Sequence, residues 1–63
     1  MITIFIKTSD ENEIKLNLDE IKLYNLYKET FNSDYIPNDE ELVENYLNHN
    51  YRNFIKYWIS YGN

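Results

Sequence analysis

Ile2, Ile4 and Ile6 alternate with Thr3, Phe5 and Lys7, and Ile14, Leu16 and Leu18 alternate with Lys15 and Asn17. A period of two in aliphatic and β-branched residues predicts two short strands, each turning one face to a core. The polar stretch from Thr8 to Glu13 predicts the turn between them, so the pair reads as an antiparallel hairpin. Phe5 falls on the face opposite the three isoleucines and is expected to be exposed.

From Asn17 the pattern becomes helical. Asn17 suits an N-cap with Glu20 at N3, a reciprocal arrangement that satisfies two backbone amides. Leu23, Tyr24, Tyr27 and Phe31 then share one side, with Lys22, Asn25 and Glu29 opposite. The spacing predicts a first helix from about Leu18 to Phe31, ended by Asn32, Ser33 and Asp34, with Pro37 unable to continue it. Asn38 caps a second helix, with Glu41 at N3 and Asp39, Glu40 and Glu41 in a first turn that favours negative charge. Val43, Leu47, Phe54, Trp58 and Tyr61 follow as one stripe flanked by Tyr46, Tyr51 and Tyr57, and Gly62 suits a left-handed helix end. This predicts a second helix of about 24 residues.

The expected fold class is therefore α+β: one small ββαα domain over residues 1–63. A two-stranded antiparallel hairpin would pack on two helices, the C-terminal one long. Such a hairpin leaves both edges unpaired, and a dimer through a hairpin edge or the aromatic tail is expected.

Composition narrows what the chain can do. Sixty-three residues make one domain with a small core, too little to enclose the several hundred Å3 of an ordinary ligand pocket. With no cysteine there is no disulfide framework and no thiolate metal site, which points to a reducing cytoplasm. Met1 to Lys7 lacks the basic start of a signal peptide, and no apolar run nears the roughly 20 residues that span a bilayer. Ile, Lys, Asn and Tyr make up 30 of the 63 residues, whereas Gly, Ala, Arg and Pro together make three. The first group has AT-rich codons, so an AT-rich genome is expected, such as a low-GC bacterium, its phage or plasmid, or an archaeal virus.

Charge is unevenly spread. All eleven acidic residues lie in the first 44 positions, which carry −7, while the last nineteen carry +2, for a net −5. That balance disfavours anionic membranes and nucleic acid, and favours either solubility or a basic partner. Asp10, Glu11 and Glu13 crowd the hairpin turn, Asp19 and Glu20 open the first helix, and Glu40, Glu41 and Glu44 stand on the second. Many of these are expected at turns and helix starts for structural reasons alone. Glu40 and Glu44 differ, because like charges at i, i+4 repel by about 0.2–0.5 kcal/mol.

No reaction chemistry is legible. His49 has Asn45 and Asn53 as its helical neighbours and is expected to face solvent, without partners for a metal. Ser9, Ser33 and Ser60 have no adjacent base or glycine elbow. No enzyme activity and no cofactor are expected. The leading expectation is a non-enzymatic, phage- or mobile-element-encoded inhibitor of a host nucleic-acid-binding defence protein. It would be of anti-CRISPR or anti-restriction type, a possible DNA mimic, working in the host cytoplasm. Its partner contacts are expected at Asp10, Glu11, Glu13, Glu40, Glu41 and Glu44, backed by Tyr57 and Ile59 on the margins of the aromatic stripe. The alternatives are a small DNA-binding regulator, reading through Asn45, Asn48, His49, Arg52, Asn53 and Lys56 of the second helix, and a self-assembling structural protein.

Overall fold

A computed structural model describes residues 1–61. The chain runs β1 (Ile2–Thr8), β2 (Glu13–Leu18), α1 (Glu20–Phe31), α2 (Asp39–Asn50) and β3 (Phe54–Ser60). The class is α+β, but the order is ββααβ: the C-terminal segment returns as a third strand, and α2 is no longer than α1. β1 is the central strand of an antiparallel sheet ordered β2-β1-β3.

The expected hairpin is present, with Ile2 opposite Leu18, Ile4 opposite Leu16 and Ile6 opposite Ile14. Its other edge is filled by β3, where Ile4 faces Ile59, Phe5 faces Trp58 and Ile6 faces Tyr57. The edge of β1 expected to be free for a second copy is therefore occupied within the chain. Lys7 pairs with Lys56 but Thr8 with Phe54, so Ile55 is an extra residue bulged out of β3.

The long second helix fails for a local and a tertiary reason. Asn48, His49 and Asn50 are poor helix formers, and after Tyr51 caps the helix, Arg52 and Asn53 turn the chain. Phe54, Tyr57, Trp58 and Tyr61 match a helical spacing, yet Phe54, Ile55, Tyr57, Trp58 and Ile59 are also good strand formers. Pairing this run with β1 satisfies a whole row of backbone groups that a two-stranded sheet would leave open. Phe54, Trp58 and Tyr61 thus lie off the helix. Trp58 and Tyr61 are exposed rather than core. Gly62, expected at a helix end, lies outside the described residues.

The first helix also starts later than expected. Leu18 closes β2, and Asp19 rather than Asn17 is the N-cap, its carboxylate accepting from the Ile21 amide at 2.9 Å. At the other end Asn32 adopts the left-handed conformation (φ 47°) and donates its amide to Lys28 O at 2.7 Å, a role asparagine fills at low cost. Asn38 caps α2 as expected, accepting from the Glu41 amide at 2.9 Å.

Both helices lie on one face of the sheet. Ile2, Ile4, Ile6 and Leu18 from the strands meet Leu23 of α1 and Leu42, Val43 and Leu47 of α2 in the core. Tyr57 and Ile59, expected on the margins of a helix, point from β3 into this layer and are half-buried against it. The two-layer molecule measures 36 × 28 × 14 Å.

Candidate functional site

The connection 32–38 brings the chain back to the end of the sheet where β1 begins, so both helices start there. Glu20, Asp39, Ser60 and Tyr61 line a hollow at this end together with Met1, Ile2 and Thr3. Asp19, Glu20, Asp39, Glu40 and Glu41 thereby gather near one pole. The hairpin turn lies at the opposite end, where the Ser9 amide donates to Asn53 O at 2.9 Å. The structure thus divides the expected partner-binding residues: Glu40, Glu41 and Glu44 stand together on α2, while Asp10, Glu11 and Glu13 stand at the far end.

The turn acids have structural tasks. Asp10 accepts from the Thr8 hydroxyl and from the Asn12 amide at 3.0 Å, holding the turn closed. The Thr8 hydrogen bond is the main reason its carboxyl lies below the ordinary carboxylate value. Glu11 takes the left-handed conformation (φ 67°) that the turn requires. Glu13 opens β2 opposite Lys7.

The α2 acids are placed differently. Glu41 is gripped by two tyrosines: Tyr35 of the connection donates to one carboxylate oxygen at 2.8 Å, and Tyr27 of α1 to the other at 3.4 Å. Burial and the Glu41 charge raise the Tyr27 phenol above its ordinary value, and the hydrogen bond to Glu41 does the same for Tyr35. Tyr57 reaches up from β3 beneath α2, its hydroxyl 3.5 Å from Glu40 O. Burial first, then the Glu44 and Glu40 charges, push that phenol up as well. Tyr57 and the two glutamates therefore form one group, while Ile59 serves mainly to pack the sheet against the helices.

Between α1 and α2 lies an open hollow of about 210 Å3 lined by Tyr27, Phe31, Glu41, Glu44, Asn45 and Asn48. Tyr27 is the centre of its aromatic side, with ring centroids 4.5 Å from Phe31 and 6.4 Å from Tyr35. Asn45 is buried here and donates to the Thr30 hydroxyl at 3.4 Å. Sequence periodicity places Asn45 on the polar side of α2, and the structure corrects that.

The DNA-reading face expected on the second helix is dispersed. Asn45 is buried, Arg52 and Asn53 lie in the turn after α2, and Lys56 is on β3. His49 is exposed, with Nδ1 2.9 Å from Asn45 O.

The other face of the sheet has an opposite character, which sequence reasoning missed because β3 was read as helix. Phe5 is half-buried there rather than exposed, stacked on Trp58 with centroids 5.7 Å apart and planes 18° apart. Lys56 Nζ stands 5.8 Å from the Trp58 ring, and the register places Lys7 and Lys15 on the same face. Glu13, opposite Lys7, lies on this face too, so the face is mixed in charge with an excess of lysine. With eleven acidic and six basic residues in the chain, the one ion pair among the described residues joins the Met1 amino group to Glu20 at 3.1 Å.

Among the described residues no group of three or more His, Asp or Glu side chains is placed to hold a metal ion. No helix among them is long and apolar enough to cross a membrane. No protein-family model, curated protein or solved structure matches the chain.

Proposed function

We propose that this protein is a non-enzymatic binding module that occupies a basic surface of a protein partner with the acidic first half of α2. The observation that supports the reading is the state of Glu40, Glu41 and Glu44: three carboxylates within two helical turns, none within 4 Å of a cation among the described residues. Glu40 and Glu44 repel at i, i+4, a standing cost of a few tenths of a kcal/mol that a basic partner would reverse. The phenols of Tyr27, Tyr35 and Tyr57 hold this face in one shape before binding, which lowers the ordering cost of association. A partner that normally takes a nucleic acid backbone would meet a comparable row of negative charge, and inhibition by mimicry of that backbone is the form the reading takes. A phage or mobile-element protein acting on a host defence nuclease would work in this way.

Affinity capture from lysate of an AT-rich bacterial host, with partners identified by mass spectrometry, tests the proposal. Wild-type protein should retain a basic, nucleic-acid-handling protein that a Glu40→Lys/Glu44→Lys variant releases. Equal capture by both forms would refute it.

The open sheet face favours a second reading. Phe5 and Trp58 offer an aromatic platform flanked by Lys7, Lys15 and Lys56 against the single carboxylate of Glu13, and aromatic rings with an excess of cations take bases and phosphates of single-stranded nucleic acid. Because the chain has one tryptophan and it lies on this face, quenching of Trp58 fluorescence by an oligonucleotide would decide between the two.

A further inference from the structure

We infer that the hollow between α1 and α2 is a receptor for one arginine side chain of the partner, its guanidinium laid against Tyr27 and Phe31 and paired with Glu44 and Glu41. This deepens the reading of a basic protein partner and rests on it. Size comes first. At about 210 Å3 the hollow is smaller than the roughly 300–1,000 Å3 of small-molecule pockets, but it has room for one long side chain. The lining combines two carboxylates, two asparagine amides whose oxygens accept hydrogen bonds, and aromatic rings only 4.5 Å apart between centroids.

A guanidinium fits this combination better than an ammonium does. It is planar, stacks on aromatic faces, and presents five N–H groups in a rigid fork that matches carboxylate geometry. Glu41 is already oriented by the Tyr27 and Tyr35 hydroxyls, yet a carboxylate has about four acceptor sites, so capacity remains for an incoming donor. Glu44 and Phe31 are exposed at the rim, where an entering side chain would meet them first. If the tyrosine–glutamate contacts were only a clasp between α1, the connection and α2, Phe31, Glu44 and Asn48 would have no part in ligand binding.

NMR titration of the isotope-labelled protein with an acetylated Gly-Arg-Gly amide, and in parallel with the lysine counterpart, tests the assignment. The arginine peptide should shift the signals of Tyr27, Phe31, Asn45 and Asn48, with the lysine peptide several-fold weaker. Phe31→Ala and Glu44→Gln, both at exposed positions and so expected to fold, should each weaken arginine binding roughly tenfold. Shifts confined to the hairpin turn, equal response to lysine, or unchanged affinity in both variants would overturn it. The two levels separate with the captured partner. If Glu40→Lys/Glu44→Lys abolishes capture and Phe31→Ala leaves it within about twofold, the arginine hollow falls while the binding module stands. If neither change affects capture, both fall.

Discussion

Phe5 on the central strand and Trp58 on the edge strand stack across the β1–β3 ladder with their ring centroids 5.7 Å apart. This contact ties the last strand to the first on the face that carries no helix. Offset-stacked aromatic pairs contribute about 0.5–1.5 kcal/mol beyond the area they bury. A double-mutant cycle with Phe5→Leu and Trp58→Leu, read by urea denaturation, should therefore return a coupling energy in that range. Strict additivity would mean the rings do not act as a pair.

The core is small enough for one side chain to decide whether the chain folds. Leu47 is fully buried between helix and sheet, and Leu→Ala at such a position costs about 2–5 kcal/mol. A domain of this size commands only about 3–5 kcal/mol in total. Leu47→Ala should accordingly leave a large unfolded fraction by circular dichroism at room temperature. Ile6→Val, which removes one methylene from the same core, should remain folded with a loss of about 0.5–1.5 kcal/mol.

Much of this core was legible because the isoleucines of β1 can only alternate as a strand, and because Asn38 with Glu41 marks a helix start in any context. β3 was not legible. Phe54, Tyr57, Trp58 and Tyr61 satisfy a helical spacing as well as a strand, and only the open edge of β1 resolves the ambiguity. A helical reading of this run hides the lysine-bearing sheet face and places Tyr57 and Ile59 on α2. The grouping of Glu40, Glu41 and Glu44 survived because all three lie before the helix ends. The grip of Tyr27 and Tyr35 on Glu41 depends on how α1 and the connection pack, and no local pattern encodes it.

Within α2 a cap and a repulsion should have opposite signs. Asn38→Ala removes the side chain that accepts from the Glu41 amide, and should destabilise the protein by about 1 kcal/mol. Glu44→Gln keeps an acceptor for Tyr57 and removes the repulsion with Glu40, and should stabilise it by about 0.2–0.5 kcal/mol. Thermal melts at neutral pH and low salt check both. A loss of stability in Glu44→Gln would mean that Glu44 already has a stabilising role within the fold.

Alkaline pH should loosen the structure. The phenols of Tyr27, Tyr35, Tyr46 and Tyr57 are raised, so the folded state holds these protons more tightly than the unfolded chain. Their contribution is fully present below about pH 10, the ordinary phenol value, and is lost as pH rises through the folded values. Phenolate absorbance should show Tyr27, Tyr35, Tyr46 and Tyr57 ionising above the ordinary phenol value, with unfolding midpoints falling over the same interval. Ionisation of these four phenols at the ordinary value in the folded protein would contradict this.

If the proposal holds, the carboxylates of α2 that lack a cation are the working surface. The direct test is the equilibrium affinity for the captured partner, measured for wild type and for Glu40→Lys/Glu44→Lys across a salt series. Screening lengths shrink from about 10 Å at 0.1 M salt to about 3 Å at 1 M, so wild-type affinity should fall steeply with salt. At low salt the charge-reversed variant should bind at least about tenfold more weakly, a difference of about 1.4 kcal/mol. Affinity that is independent of salt and unchanged by the reversal would mean that these carboxylates do not form the contact.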